Sequence, residues 1–222
     1  MNVSELFITF EGIEGSGKTT QLKKLYSHLK SHQFTVIETH EPGGTKIGNA
    51  VRAILLNPDN TEMAQLCELM LYEASRSQLV TQVIRPALKM GAIVLWDRFT
   101  DSSLAYQGYG RGIPLESITK LNLMATMGLT PQLTFLFDLP VEEGFRRIER
   151  RLASQDSSDQ MDRLELAGLL FHQKVRDGFL DLAKKEPERI RVIDARQNEE
   201  QVYQQILKIT EDYVTSRNYR TR

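Results

Sequence analysis

Gly12-Ile13-Glu14-Gly15-Ser16-Gly17-Lys18-Thr19 fits Gly-x-x-x-x-Gly-Lys-[Ser/Thr], the pattern of a phosphate-binding loop. Its flanks fit as well. Leu6-Phe7-Ile8-Thr9-Phe10 precedes it as an apolar, β-favouring run, and Gln21-Leu22-Lys23-Lys24-Leu25-Tyr26 follows with helical spacing. A strand, a tight loop and a helix are what the motif needs. The glycines let successive backbone N–H groups converge on phosphate oxygens. The helix behind them points its positive end at the same anion. Lys18 can reach β- and γ-phosphates, and the Thr19 hydroxyl can ligate Mg²⁺. This stretch sets the expectation of an α/β nucleotide-binding fold, without saying what is done with the phosphates.

The chain has 222 residues and a formal net charge of -1. That is enough for one domain spanning residues 1–222 with a sizeable core. A near-neutral chain gives no global electrostatic case for nucleic acid. Cys67, the one cysteine, excludes an intramolecular disulfide and suits a reducing compartment. Its apolar helical surroundings, Leu66 and Leu69, predict a buried structural thiol. No apolar run approaches the roughly 20 residues of a membrane span. Met1-Asn2-Val3-Ser4-Glu5 lacks the features of a signal peptide. The expectation is a cytoplasmic protein with no membrane partner.

Apolar runs at 6–10, 35–38, 93–97, 133–138 and 190–193 read as strands. They show little alternation, which suits a parallel sheet covered on both faces. Helical patterns lie near 20–30, 48–55, 63–89, 115–127, 141–152, 163–184 and 199–214. This alternation predicts a doubly wound three-layer α/β sandwich with a five-stranded parallel sheet, its ligands at the strands' carboxyl ends. Residues 153–160, Ala-Ser-Gln-Asp-Ser-Ser-Asp-Gln, break the pattern and read as a loop. The flanking arginines favour a closing lid, roughly 147–163, over a plain connector, because phosphoryl transfer needs water excluded and charge supplied.

Four further blocks narrow the chemistry. His40-Glu41-Pro42-Gly43-Gly44-Thr45 follows the second strand; alone it is equally a strand-to-helix turn, but its place beside the phosphate loop favours substrate contact. Asp97-Arg98-Phe99 ends the third strand. Asp97 can hold the shell of a magnesium ion and Arg98 can grip a phosphate bidentately, although a structural Asp–Arg pair is the plain alternative. The run 101–110 places Ser103, Tyr106 and Gln107 just beyond; Gln107 suits a nucleobase edge, while Asp101 or Ser102 could be only a helix N-cap. Tyr72 and Arg76 share a helix face and suit a base with its phosphate, though in isolation a core aromatic and a surface arginine are the better reading.

Together these blocks resemble the bacterial thymidylate kinases. The matching stretches are Phe10–Thr19, Glu41-Pro42-Gly43-Gly44-Thr45, Asp97-Arg98-Phe99, Ser102-Ser103-Leu104-Ala105-Tyr106-Gln107-Gly108 and Asp162-Arg163-Leu164-Glu165, in family order over nearly the whole chain. The resemblance implies a nucleoside monophosphate kinase of the P-loop fold. It would transfer the γ-phosphoryl of ATP to dTMP with Mg²⁺, in dTTP biosynthesis, as a homodimer built on its long helices. It implies that Tyr72 stacks on thymine, Arg76, Gln107 and Ser103 face the base, Arg98 holds the acceptor phosphate and Glu14 meets the sugar 3′-hydroxyl region. Pro42 and Tyr106 join this substrate set. Two positions depart from the family: His40 stands where arginine is usual, and Phe99 where tyrosine is usual.

Phosphoryl transfer is mainly alignment and charge neutralisation. Ile13, Glu14 and Ser16 leave the phosphate loop without a basic residue besides Lys18. A further arginine is expected, since an arginine finger is worth ~10³–10⁵ in rate in other systems. Arg147, Arg150, Arg151 and Arg163 flank the polar loop; Arg151 and Arg163 are favoured, then Arg147. No general base is required, because a phosphate monoester has its second pKa at ~6 and attacks as the anion. His28, His32 and His172 read as surface or packing residues. A nucleotide switch is the reading from another class, but no Asn-Lys-x-Asp guanine-reading block is present.

Overall fold

The computed structural model describes residues 6–153 and 161–216. The expectations about the N-terminal residues 1–5 and the core of the lid, 154–160, fall outside them, as do residues 217–222. Strands β1 (Leu6–Gly12), β2 (Val36–His40), β3 (Ile93–Asp97), β4 (Leu133–Asp138) and β5 (Ile190–Asp194) form one parallel sheet in the order β2-β3-β1-β4-β5. In register, Leu6 pairs with Ile93 and Ile8 with Leu133. The connections run to one side of β1 as far as β3, then cross to β4 on the other side. This reversal opens a crevice at the carboxyl ends.

Burial follows position in the sheet. All seven residues of β1 are buried, whereas edge strands β2 and β5 each expose some of their residues. Successive side chains of the central strands point to opposite layers. Phe7, Val94 and Trp96 pack on one face with Leu79, Ile84 and Leu88. Leu6, Ile8, Phe10, Ile93 and Leu95 pack on the other with Leu22, Leu25 and Ile206. The three-layer doubly wound sandwich is therefore present as expected.

The helices are α1 (Lys18–Ser31), α2 (Lys46–Leu56), α3 (Gln65–Leu79), α4 (Arg85–Lys89), α5 (Thr100–Ser103), α6 (Leu115–Thr126), α7 (Val141–Ala153), α8 (Leu169–Lys185) and α9 (Glu199–Ser216). Two long helical expectations are broken. The run at 63–89 passes through a π-helical segment, Val80–Ile84, before α4. Pro86 lacks an amide hydrogen and its ring crowds the carbonyl four residues back, so a regular α-helix cannot continue there. The run at 163–184 is cut by Gly168, whose φ of +86° separates a 3₁₀ turn (Glu165–Ala167) from α8. A further π-helical turn, Leu104–Gly110, continues α5 and packs against α8.

Cys67 corrects an expectation: it is exposed. The buried stripe of α3 runs through Glu68, Leu69, Tyr72, Glu73, Ser75, Arg76 and Leu79. Cys67 lies on the opposite face with exposed Leu66 and Met70. Its apolar neighbours belong to an uncovered surface rather than to the core. Among the described residues, no helix is long and apolar enough to cross a membrane.

The phosphate loop is seated by a close backbone approach. Gly15 has φ +72°, and a Cβ there would lie 2.4 Å from the Gly144 carbonyl oxygen in α7. A Cβ on Gly144 would in turn lie 2.7 Å from the Glu14 carbonyl oxygen. The helix leading to the expected lid thus touches the loop directly.

Candidate active site

A cleft of about 550 Å³ opens at the carboxyl ends of β1, β2 and β3. Glu14, Gly15, Lys18, Thr19 and Asp97 line one side. Pro42, Tyr72, Arg76, Arg98, Ser103, Tyr106 and Gln107 line the other. Residues drawn from five separate stretches of sequence therefore meet in one space. Gly12, Ile13, Ser16 and Gly17 form the loop behind it without lining it.

On the first side, Lys18 Nζ donates to the Ile13 carbonyl at 2.8 Å and to Ser16 Oγ at 3.3 Å. Burial, then the Arg98 charge, pushes the Lys18 ammonium down to about 8. Thr19 Oγ1 donates to Asp97 Oδ2 at 2.6 Å, so a hydroxyl and a carboxylate sit together at the loop's end.

The second side is built on Arg98. Its Nη2 donates to Glu14 Oε1 at 2.9 Å, its Nη1 to Ser102 Oγ at 3.3 Å, and its guanidinium lies 5.0 Å over the Tyr106 ring. Tyr106 donates its hydroxyl to Glu14 at 2.7 Å. Burial alone would raise the Glu14 carboxyl, but Arg98, His172 and Lys18 outweigh it and hold it well below the usual range. Arg98 also has φ +66°, the left-handed region, which costs a non-glycine residue about 1–3 kcal/mol. Two hydrogen bonds hold that conformation: Arg98 N–H to the Phe10 carbonyl at 3.0 Å, and Phe99 N–H to Glu11 Oε1 at 2.7 Å.

Arg76 is 1% exposed, and all five of its N–H groups face protein acceptors. Nε and Nη2 engage Glu41, at 3.0 and 2.5 Å; Nη1 donates to Glu73 and Asn122; Nη2 also reaches Ser103 Oγ at 2.9 Å. The bland reading of a surface arginine is therefore excluded. Gln107 Nε2 donates to Glu68 Oε1 at 2.9 Å, fixing its amide orientation. Neither Asp101 nor Ser102 caps a helix: Asp101 accepts from Arg189, and Ser102 Oγ donates to Glu11 Oε2 at 2.6 Å. Phe99 is fully buried on Phe7 and Trp96, and His40 lines the cleft.

The arginines near the lid separate. Arg151 lines the cleft and donates to Glu165 Oε1 at 3.1 Å. Arg163 does not line it. Its Nη1 sits 2.6 Å from Glu68 Oε2 and its Nε donates to the Leu55 carbonyl, so it ties the lid's far root to α2 and α3. Arg147 braces the back of the phosphate loop, donating to the Ala195 carbonyl at 3.0 Å and the Gly15 carbonyl at 3.4 Å. Arg163 is thus anchored to α2 and α3 here. Attraction to buried Glu68, 1% exposed, explains its direction.

Three acidic side chains have structural roles that the sequence did not assign. Glu11, Glu41 and Glu68 are buried carboxylates that hold Phe99 N–H with Ser102, Arg76, and Arg111 with Arg163 respectively. Only an acidic residue inside the otherwise apolar run 6–12 could have flagged Glu11. His172, expected at the surface or in packing, is 1% exposed and lies beside Glu14.

The thymidylate kinase family model matches residues 10–206. The chain is 53% identical over 192 residues to a thymidylate kinase of Geotalea daltonii, covering 86% of this chain and 90% of that one. It is 50% identical over 208 residues to one from an Exiguobacterium species, covering 94% and 95%. The crystal structure of thymidylate kinase from Ehrlichia chaffeensis superposes with a TM-score of 0.72 at 34% identity, covering 94% of this chain and 99% of that one.

Glu11 yields a test of this frame. Burial first, and the Asp101 charge second, push its carboxyl from 4.5 up to about 8. A raised folded value means that the folded state binds the extra proton, so this stability is full below pH about 4.5 and is lost as pH rises through about 8. Glu11→Gln, which cannot ionise, is expected to lose less stability than the parent between pH 6 and pH 9 in urea unfolding. A stability gap that does not change with pH would contradict the assignment.

Proposed function

The chain belongs to the thymidylate kinase family and phosphorylates dTMP to dTDP with ATP, in dTTP synthesis, and we infer from the cleft how its side chains divide that work. Lys18 and the loop amides of residues 12–19 bind the ATP phosphates. Lys18 leaves its internal partners, Ile13 and Ser16, for phosphate oxygens. Arg98 binds the dTMP phosphate beside it. Tyr72 stacks on thymine, while Gln107, Ser103 and Arg76 frame the base edge with Pro42. Arg76 acts there as a fixed cation, already locked by Glu41 and Glu73. Glu14, flanked by Arg98 and Tyr106, faces the sugar 3′-hydroxyl region. What supports this division is a single cleft lined by Lys18 and Thr19 on one side and by Arg98, Tyr72 and Gln107 on the other.

Thr19 Oγ1 and Asp97 Oδ2, 2.6 Å apart, are hard oxygen donors at the phosphate end of the cleft. They fit Mg²⁺, which takes few protein ligands and completes its shell with phosphate oxygens and water. Among the described residues, no group of three or more His, Cys, Asp or Glu side chains forms a protein-only metal site. When bound, the ion would neutralise and orient phosphate oxygens. The acceptor phosphate is already ionised near neutral pH, so the protein's task is alignment, water exclusion and added positive charge. Arg151 is the lid arginine assigned to that charge, moving from Glu165 to the transferring group.

A homodimer is the assembly proposed for the chain. Its support is an exposed apolar surface: Ile47 and Ile54 on α2, Leu66 and Met70 on α3, and Leu123 and Met124 on α6. Helix α3 packs against both α2 and α6, so these side chains share one side of the molecule. Patches of this kind mark interfaces in otherwise polar surfaces. A cytoplasmic location rests on the ATP requirement and the lone cysteine.

Formation of ADP should require both dTMP and Mg²⁺. Arg98→Ala is expected to lower kcat/KM for dTMP by about 100-fold or more while ATP binding changes little, whereas Lys18→Ala damages both. Arg151→Ala should reduce turnover at least about tenfold with little change in dTMP affinity. Unchanged turnover in that variant would remove Arg151 from catalysis. Separately, the double substitution Leu66→Glu and Met124→Glu should convert a dimer into a monomer in light scattering. A wild-type protein that is already monomeric at micromolar concentration would contradict the assembly.

A further inference from the structure

We propose that His172 is a positioning residue that aims Glu14 and couples it to the chain leaving the lid. The proposal rests on the reading of Glu14 as the group that faces the sugar of dTMP. His172 does not line the cleft. Its ring is 1% exposed, held edge-on between Phe145 at 5.2 Å and Phe171 at 5.3 Å, with Tyr106 at 6.4 Å. Two polar atoms emerge from this apolar cage in opposite senses. Nε2 lies 3.0 Å from the Leu164 carbonyl oxygen. Nδ1 lies 3.3 Å from Glu14 Oε2, an ion-pair distance, and makes no hydrogen bond.

A carbonyl oxygen only accepts, so the contact with Leu164 requires hydrogen on Nε2. The other ring nitrogen, Nδ1, is left facing the Glu14 carboxylate at 3.3 Å. Glu14 is then gripped from both ends: Arg98 and Tyr106 at Oε1, His172 and Tyr106 at Oε2. The other end of the link is also fixed. The Asp162 side chain accepts from Leu164 N–H at 2.8 Å and Glu165 N–H at 2.9 Å, and Arg163 is paired with Glu68. The segment that follows the lid therefore reaches the acceptor half of the cleft through one imidazole. A histidine that merely packs needs one backbone partner in a cage of this kind; the second nitrogen facing a carboxylate is what packing does not explain.

The test separates the two contacts. Asn places an amide where Nδ1 stands and can keep Glu14; Gln places one where Nε2 stands and can keep Leu164; Phe keeps only the packing. His172→Gln and His172→Phe are expected to raise KM for dTMP about tenfold, with KM for ATP within about twofold. In both, the preference for dTMP over 3′-deoxythymidine monophosphate should fall toward that of a Glu14→Gln control. His172→Asn should recover most of it. The proposal is overturned if the three His172 variants change only the melting temperature while Glu14→Gln shifts the preference. If Glu14→Gln itself leaves the preference unmoved, the sugar reading of Glu14 fails. The link to His172 then stands if His172→Gln reproduces the change in dTMP KM of the Glu14 variant, and fails if it does not.

Discussion

The ion pair between Arg98 and Glu14, at 2.9 Å, joins the turn after β3 to the phosphate loop after β1. Everything that distinguishes the acceptor half of the cleft is arranged around it. Tyr106 reaches the same carboxylate, Ser102 the same guanidinium, and His172 approaches from behind. The pair is partly buried, its side chains 19% and 15% exposed, so its geometry matters more than that of a surface bridge. Its position depends in turn on a strained backbone. Arg98 keeps φ at +66° because Phe10 and Glu11 secure the amides on either side of it. A cation that lines the cleft is thus held on a carboxylate.

This arrangement makes sense of a phosphate loop that carries glutamate rather than a basic residue. Glu14 holds Arg98 in place on one side of the cleft, while Lys18 lines the other. The remaining positive charge has to come from outside the loop. Of the arginines near the lid, Arg151 lines the cleft, whereas Arg147 and Arg163 are spent on structure. The same helix, α7, touches the loop at Gly144 and carries both Arg147 and Arg151.

Much of the sheet was legible because its central strands are mostly apolar and show little alternation, and the phosphate loop because its motif is local. Local signals misled where burial is decided by distant partners. Cys67 has apolar neighbours, yet its helix turns Glu68 and Tyr72 inward instead. Arg163 resembles a lid arginine in sequence, but it meets Glu68, a partner far away in the chain. His172 sits in a helical pattern that says nothing of Glu14. Arg76 shows the opposite case: an arginine in a helix looks exposed until Glu41 and Asn122 are brought to it by the fold. Sequence periodicity reports which face is apolar; it does not report which buried charges find each other.

The most direct measurement is a structure with dTMP and a non-hydrolysable ATP analogue bound together. The expected result has the dTMP phosphate on Arg98, with the positive φ of Arg98 and the Phe99–Glu11 hydrogen bond preserved. A dTMP phosphate held by other cations while Arg98 remains on Glu14 alone would contradict it, as would a relaxed backbone at Arg98.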